Sequence, residues 1–282
     1  MPKRLISLLA LGAIALAACG GAGQSTTTAA AGGECGPDHP ALHEPGKLTV
    51  ATGDVVYPPW MLNDDPAGGE GFENSVVYAV AEQLGFDRED VVWVRTTFDE
   101  ALVVGDKDYD FNIQQFSITP ERQEQFDFSV PYYVEEKALV AFPEALPGEL
   151  AKLGDIEGLK YGAMIGTTDL SYIEDVIGAT DVQVFDELAD VFLAMEGKQI
   201  DATVVGLPTA LFATAVQVPD ATIAAILPDS EGDDGLGMLF EKGHGFVECV
   251  NQALTALDQA GKLDELATEW LASGGEIPRL EK

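Results

Sequence analysis

The residues best suited to chemistry lie in Ser117-Ile118-Thr119-Pro120-Glu121-Arg122. Arg122 falls at a helix start opened by Pro120, just past a strand predicted over Asp110–Gln114. A guanidinium placed there can grip a carboxylate through two parallel, charge-assisted hydrogen bonds. Ser117 offers a hydroxyl and a backbone N–H to the same anion. Thr167 and Thr168 open another predicted helix, Asp169–Val176, where exposed N–H groups and the helix dipole favour negative charge. Arg122 has a second use open to it, a surface ion pair with Glu121 or Glu124. These groups bind anions; none is a nucleophile paired with a base.

Catalytic constellations are otherwise thin. His39, His43 and His244 are scattered, with no Cys or carboxylate at metal-ligand spacing, so no metal and no cofactor is expected. The chain has no G-x-S-x-G elbow and no phosphate-cradling G-x-x-x-x-G-K. Gly235 and Gly237 lack the strand-turn-helix context of a dinucleotide site. Asp64/Asp65 and Asp233/Asp234, beside glycines, read as solvated turns.

The elements that must position these residues alternate between strand and helix. Lys47–Thr52, Val91–Arg95, Asp110–Gln114, Ala138–Phe142, Lys160–Met164, Asp201–Val205, Thr222–Ile226 and Leu236–Phe240 have strand length and apolar content. Helical patterns cover Val76–Leu84 with Ser75 as N-cap and Gly85 as terminator, then Phe98–Val104, Leu188–Glu196, Pro208–Ala215, Phe246–Ala260 and Leu263–Ala272. Pro58 and Pro59 forbid helix in the loop that carries Tyr57 and Trp60. The order is that of an α/β protein with largely parallel sheets.

Composition sets the boundaries. The 282 residues hold 15 Lys+Arg against 48 Asp+Glu, a net charge of −33. That balance argues against nucleic acid as a partner and against a polybasic membrane-surface binder. Hydrophobic content of 46% is enough for two compact lobes.

Lys3 and Arg4 precede an apolar run, Leu5–Ala18, whose helix would rise only about 21 Å, short of the ~30 Å hydrocarbon core. Residues 1–18 therefore read as a signal peptide. Leu16-Ala17-Ala18-Cys19 resembles a bacterial lipobox, which implies that Cys19 carries lipid and becomes the mature N-terminus; plain secretion with an unmodified Cys is the alternative. Residues 19–45 read as a lipid-anchored flexible linker, Gly-, Ala-, Ser- and Thr-rich from Gly20 to Gly33. Export leaves Cys35 and Cys249 in an oxidising compartment, where an even remainder suggests one disulfide; two separate thiols are the alternative.

The stretch Tyr109-Asp110-Phe111-Asn112-Ile113-Gln114-Gln115-Phe116-Ser117-Ile118-Thr119-Pro120-Glu121-Arg122, continuing to Phe126-Asp127-Phe128-Ser129-Val130-Pro131-Tyr132-Tyr133, resembles the polar amino-acid family of ABC-importer solute-binding proteins. Gly53-Asp54 to Tyr57-Pro58-Pro59-Trp60, Gly71-Phe72-Glu73, Gly166-Thr167-Thr168 and Ile200-Asp201-Ala202 match the same pattern in order. The resemblance implies a two-lobed periplasmic-binding-protein-like (type II) fold with two hinge crossovers, near Tyr133–Ala138 and Pro228–Leu236. Lobe 1 would comprise 46–134 and 236–282, and lobe 2 would comprise 137–228. Both cysteines would lie on lobe 1, which favours their pairing.

The implied function is capture of a small polar amino acid or related carboxylate by a monomer, without enzymatic activity, for an importer permease on the outer face of the cytoplasmic membrane. The implied ligand set is Asp54, Tyr57, Trp60, Gln114, Gln115, Phe116, Ser117, Arg122, Thr167, Thr168 and Asp169. Tyr57, Trp60 and Phe116 would form its apolar walls, although Trp60 could equally be plain core. Gly206 stands where the family has an acid that pairs with the ligand's ammonium, so either Asp54, then Asp169, is the expected substitute, or the ligand lacks a standard α-ammonium and Gly206 makes room for something bulkier. The rivals are a ligand-sensing receptor and an exported enzyme resembling the cyclohexadienyl dehydratases. The enzyme would need a cleft acid, for which Glu73 is the candidate.

Overall fold

The computed structural model describes residues 35–228, 235–271 and 275–282. The signal peptide, Cys19 and most of the second expected crossover lie outside them.

In the first lobe, β1 (Leu48–Gly53) is buried along its whole length, as a central strand covered on both faces must be. The next element, α1 (Phe72–Leu84), begins a turn earlier than the Ser75 cap suggested. Its first turn is capped from outside. Phe72 N–H donates to Pro59 O at 3.0 Å, and Glu73 N–H donates to Trp60 O at 2.9 Å. The chain passes so close there that a Cβ on Gly71, at φ +127°, would overlap the Trp60–Met61 backbone. Phe72, Val76, Val77, Val80, Ala81 and Leu84 are buried, and Gly85, at φ +84°, ends the helix as expected.

The lobe continues through β2 (Val91–Thr96), α2 (Phe98–Ala101), β3 (Phe111–Asn112), α3 (Pro120–Gln125) and β4 (Phe126–Phe128). The start of α3 follows from its sequence. Thr119 is the N-cap, its hydroxyl accepting from Arg122 N–H, and Pro120 fills the first turn.

The chain then crosses to the second lobe. It forms β5 (Lys137–Ala141), β6 (Tyr161–Met164), α4 (Thr168–Ser171, continued by a π-helical segment to Ile177), β7 (Val182–Phe185) and α5 (Leu188–Glu196). After these come β8 (Ala202–Gly206), α6 (Leu207–Phe212, continued by a π-helical segment to Gln217) and β9 (Thr222–Ile226). It returns to the first lobe as β10 (Leu239–Glu241), α7 (Val247–Gln259) and α8 (Lys262–Trp270).

Two five-stranded sheets result, ordered β2-β1-β3-β10-β4 and β7-β6-β8-β5-β9. They are mixed rather than largely parallel. A strand entering a sheet from a crossover runs against its neighbours, so β10 is antiparallel to β3 and β4, and β5 to β8 and β9. The short strands β4 and β7 had no clear signature in the alternation.

Two segment assignments are corrected. Residues 35–45, placed in the linker, are folded against lobe 1. Cys35 is disulfide-bonded to Cys249 of α7, with the Cα atoms 5.2 Å apart. Leu42 is buried, and His43 N–H and Thr49 N–H each donate to the buried Asp110 carboxylate at 2.7 Å. The chain end, placed in lobe 1, docks on lobe 2. Ile226 N–H donates to Pro278 O, Leu280 N–H to Ile226 O, and Leu153 N–H to Glu281 O, at 2.8 to 3.0 Å. With Leu280 buried, this tail covers the open edge of β9.

Candidate functional site: the interlobe cleft

A cavity of about 120 Å³ lies between the lobes and is lined from both. Its chemistry starts at Arg122. One guanidinium nitrogen donates to Ser117 O at 2.8 Å within lobe 1, and another donates to Gly166 O at 3.0 Å in lobe 2. Ser117 Oγ and Thr168 Oγ1 meet across the same gap at 3.0 Å. Trp60 Nε1 donates to Thr209 Oγ1 at 2.9 Å. These interlobe contacts define a closed cleft.

Thr167 caps α4, donating to Met164 O at 2.7 Å while accepting from Leu170 N–H at 3.1 Å. Behind Thr168, the nearly buried Lys137 Nζ reaches Thr168 Oγ1 at 3.2 Å and the Asp169 carboxylate at 2.7 Å. Asp169 is therefore already matched by a cation within lobe 2.

Across the cleft, Gln115 takes the left-handed conformation, at φ +52°. The buried Glu73 carboxylate holds it there. Glu73 Oε1 accepts from Gln115 N–H at 2.9 Å and from Tyr132 Oη at 2.5 Å, and Oε2 accepts from the Gln115 side-chain amide. Burial pushes the Glu73 carboxyl up to about 7, against the downward pull of these three hydrogen bonds. Glu73 does not line the cavity, whereas Gln115, which it holds, does.

Of the residues expected at the ligand, Tyr57, Trp60, Gln114, Gln115, Ser117, Arg122, Thr167, Thr168 and Asp169 line the cavity together. Two do not. Phe116 is fully buried and stacks on Phe98 with ring centroids 4.7 Å apart, so Phe98 presents the apolar wall instead. Asp54 is exposed and outside the lining, and the Arg95 guanidinium holds its backbone carbonyl.

The acid that does stand beside Gly206 is Glu135. A Cβ at Gly206 would overlap the Glu135 carboxylate, which occupies the space that a longer residue would fill. Glu135 belongs to the first crossover, and pairing of Lys137 with Gly206 brings the two positions together. Its only signal in the sequence is the Glu135-Glu136 pair within the expected hinge. Glu187 also lines the cavity. Burial raises its carboxyl first, followed by the repulsion of Asp190, Asp54, Asp99 and Asp186. The acids that line the cavity are Glu135 of the crossover and Asp169 and Glu187 of lobe 2. Among the described residues, no group of three or more His, Cys, Asp or Glu is arranged to hold a metal ion.

Two α/β lobes that close on a polar cavity through reciprocal hydrogen bonds define a hinged binding protein. The family model for bacterial extracellular solute-binding proteins, family 3, matches residues 48–273, and the chain belongs to that family. The L-cystine-binding protein TcyJ of Escherichia coli K12 is 26% identical over 235 residues, 82% of this chain and 85% of the relative. ABC transporter arginine-binding protein 1 of the same organism is 24% identical over 220 residues, 77% and 87% of the two chains. Among solved structures, an ancestral arginine-binding protein bound to arginine superposes with a TM-score of 0.66 at 25% identity, over 80% of this chain and 99% of that one.

Proposed function

We propose that the protein is the lipid-anchored substrate-binding component of an ABC importer, and that it captures a small amino acid by closure of the cleft. The observation that carries this reading is the convergence of Arg122 and Ser117 of one lobe with Gly166 and Thr168 of the other. A ligand carboxylate at this junction receives charge-assisted hydrogen bonds from Arg122 and contacts from both lobes, so binding favours the closed state. An ammonium enclosed with it needs its own counter-charge. Glu135, beside Gly206, supplies one in place of Asp54. The names of the relatives, which bind cystine and arginine, fit a ligand of this kind.

The test is a thermal-shift screen of the amino acids and their deaminated analogues. Ligand at 100 times Kd adds about 2.7 kcal/mol, a rise of several degrees for a body of this size. A screen in which no amino acid raises the melting temperature refutes the proposal, and recovery of a dehydrated product in place of the ligand would point to the enzyme. The anchor has a separate test. Cys19→Ser is expected to move the exported protein from the membrane fraction to the soluble one, and a variant that still labels with lipid would overturn the lipobox reading.

A further inference from the structure

The cavity does not end at the carboxylate clamp. It runs on into lobe 2, between β8 and the helices α5 and α6, where Leu188, Phe192, Val205 and Phe212 line it. Two polar groups interrupt this apolar wall. Thr203, on the same face of β8 as Val205, is completely buried, and among the described residues its hydroxyl has no hydrogen-bond partner. Gln217, in the π-helical continuation of α6, lines the same cavity, and its buried side-chain oxygen is also without a partner among the described residues.

A buried hydroxyl without a partner costs stability, and valine has the same shape without the penalty. Buried polar atoms in native proteins nearly always have partners. Here both groups line a ligand cavity, so the bound molecule is the natural source of one. A threonine hydroxyl can accept a hydrogen bond, and an amide oxygen can only accept. The chemistry common to both is recognition of a donor.

We infer that Thr203 and Gln217 form a specificity pocket in lobe 2 for the far end of the ligand's side chain, and that this end carries N–H donors, as a carboxamide or a guanidinium does. Phe192, Phe212 and Leu188 pack the aliphatic stem between this pocket and the clamp. This inference rests on the amino-acid reading above and adds which amino acids the cleft prefers.

The experiment is calorimetry on the full chain with glutamine, arginine and norvaline, a stem without a donor, using wild type, Thr203→Val and Thr203→Ser. Wild type is expected to bind glutamine or arginine at least about 10-fold more tightly than norvaline, the equivalent of a hydrogen-bonded donor gained. Thr203→Val should erase most of that preference without weakening norvaline, and Thr203→Ser should restore it. The unliganded Thr203→Val protein should melt at or above the wild-type temperature, because it loses an unpartnered hydroxyl. If wild type binds norvaline as tightly as both donors, or if Thr203→Val leaves the preference intact or weakens all three ligands alike, the pocket is wrong and the amino-acid reading stands. If no amino acid binds wild type, both fall together.

Discussion

Replacing Arg122 by methionine is expected to weaken ligand binding by about two to three orders of magnitude, since truncating one partner of a buried, hydrogen-bonded charge pair commonly costs about 3–4 kcal/mol. Methionine keeps the unbranched stem beside Phe98 and Phe116, over whose rings the guanidinium carbon sits at 5.7 and 6.0 Å. It removes the donors that reach Ser117 O and Gly166 O. The unliganded variant should therefore stay folded, because hydrogen bonds of this partly exposed kind contribute modestly to stability. Arg122→Lys should recover little, since an ammonium cannot present two parallel donors to one carboxylate while also bridging two lobes. Titration calorimetry with the amino acid giving the largest thermal shift reads both effects. Wild-type affinity in Arg122→Met would remove the guanidinium from the binding account.

The turn that carries Arg122 was legible in the sequence because it is built locally. Thr119, Pro120 and Arg122 lie within one helical turn, and a capping threonine followed by proline fixes where that turn begins. Glu135 was not legible for the opposite reason. Its place beside Gly206 depends on the antiparallel pairing of Lys137 with Gly206, a contact between residues far apart in the chain. Lys137 hid in the same way, since its partner Asp169 lies on a different element. Asp54 looked well placed by its proximity to Tyr57, yet the loop turns its side chain to solvent. The early start of α1 escaped because its cap is formed by the carbonyls of Pro59 and Trp60 rather than by a side chain just upstream. The tail over β9 carried no pattern, since one buried Leu280 is enough to seat it.

Glu73→Ala is expected to cost about 3–5 kcal/mol of folding stability at neutral pH, the range for breaking a buried network and leaving its donors unmatched. The variant strands the buried Tyr132 hydroxyl and leaves the half-buried Gln115 N–H without the carboxylate that accepts it. It also frees Gln115 from a left-handed backbone that a residue with a side chain holds only under constraint. The turn from Gln114 to Ser117 should then relax, and ligand affinity should fall along with stability. The proton on Glu73 gives a second, sharper readout. In the folded protein burial raises its carboxyl to about 7, whereas in the unfolded chain it titrates near the ordinary 4.5. Between those values the native state holds the proton that the unfolded state has released, so stability falls as pH rises. The difference amounts to about 3 kcal/mol, complete above the folded value and absent below the unfolded one. Other carboxylates titrate in the acid range, so the diagnostic quantity is wild type minus Glu73→Gln, which keeps the shape and removes the titration. Urea unfolding at intervals from pH 4 to 8 should show wild type losing stability relative to Glu73→Gln across that window. Parallel curves would mean that Glu73 is ionised in the fold throughout, with its three hydrogen bonds outweighing burial.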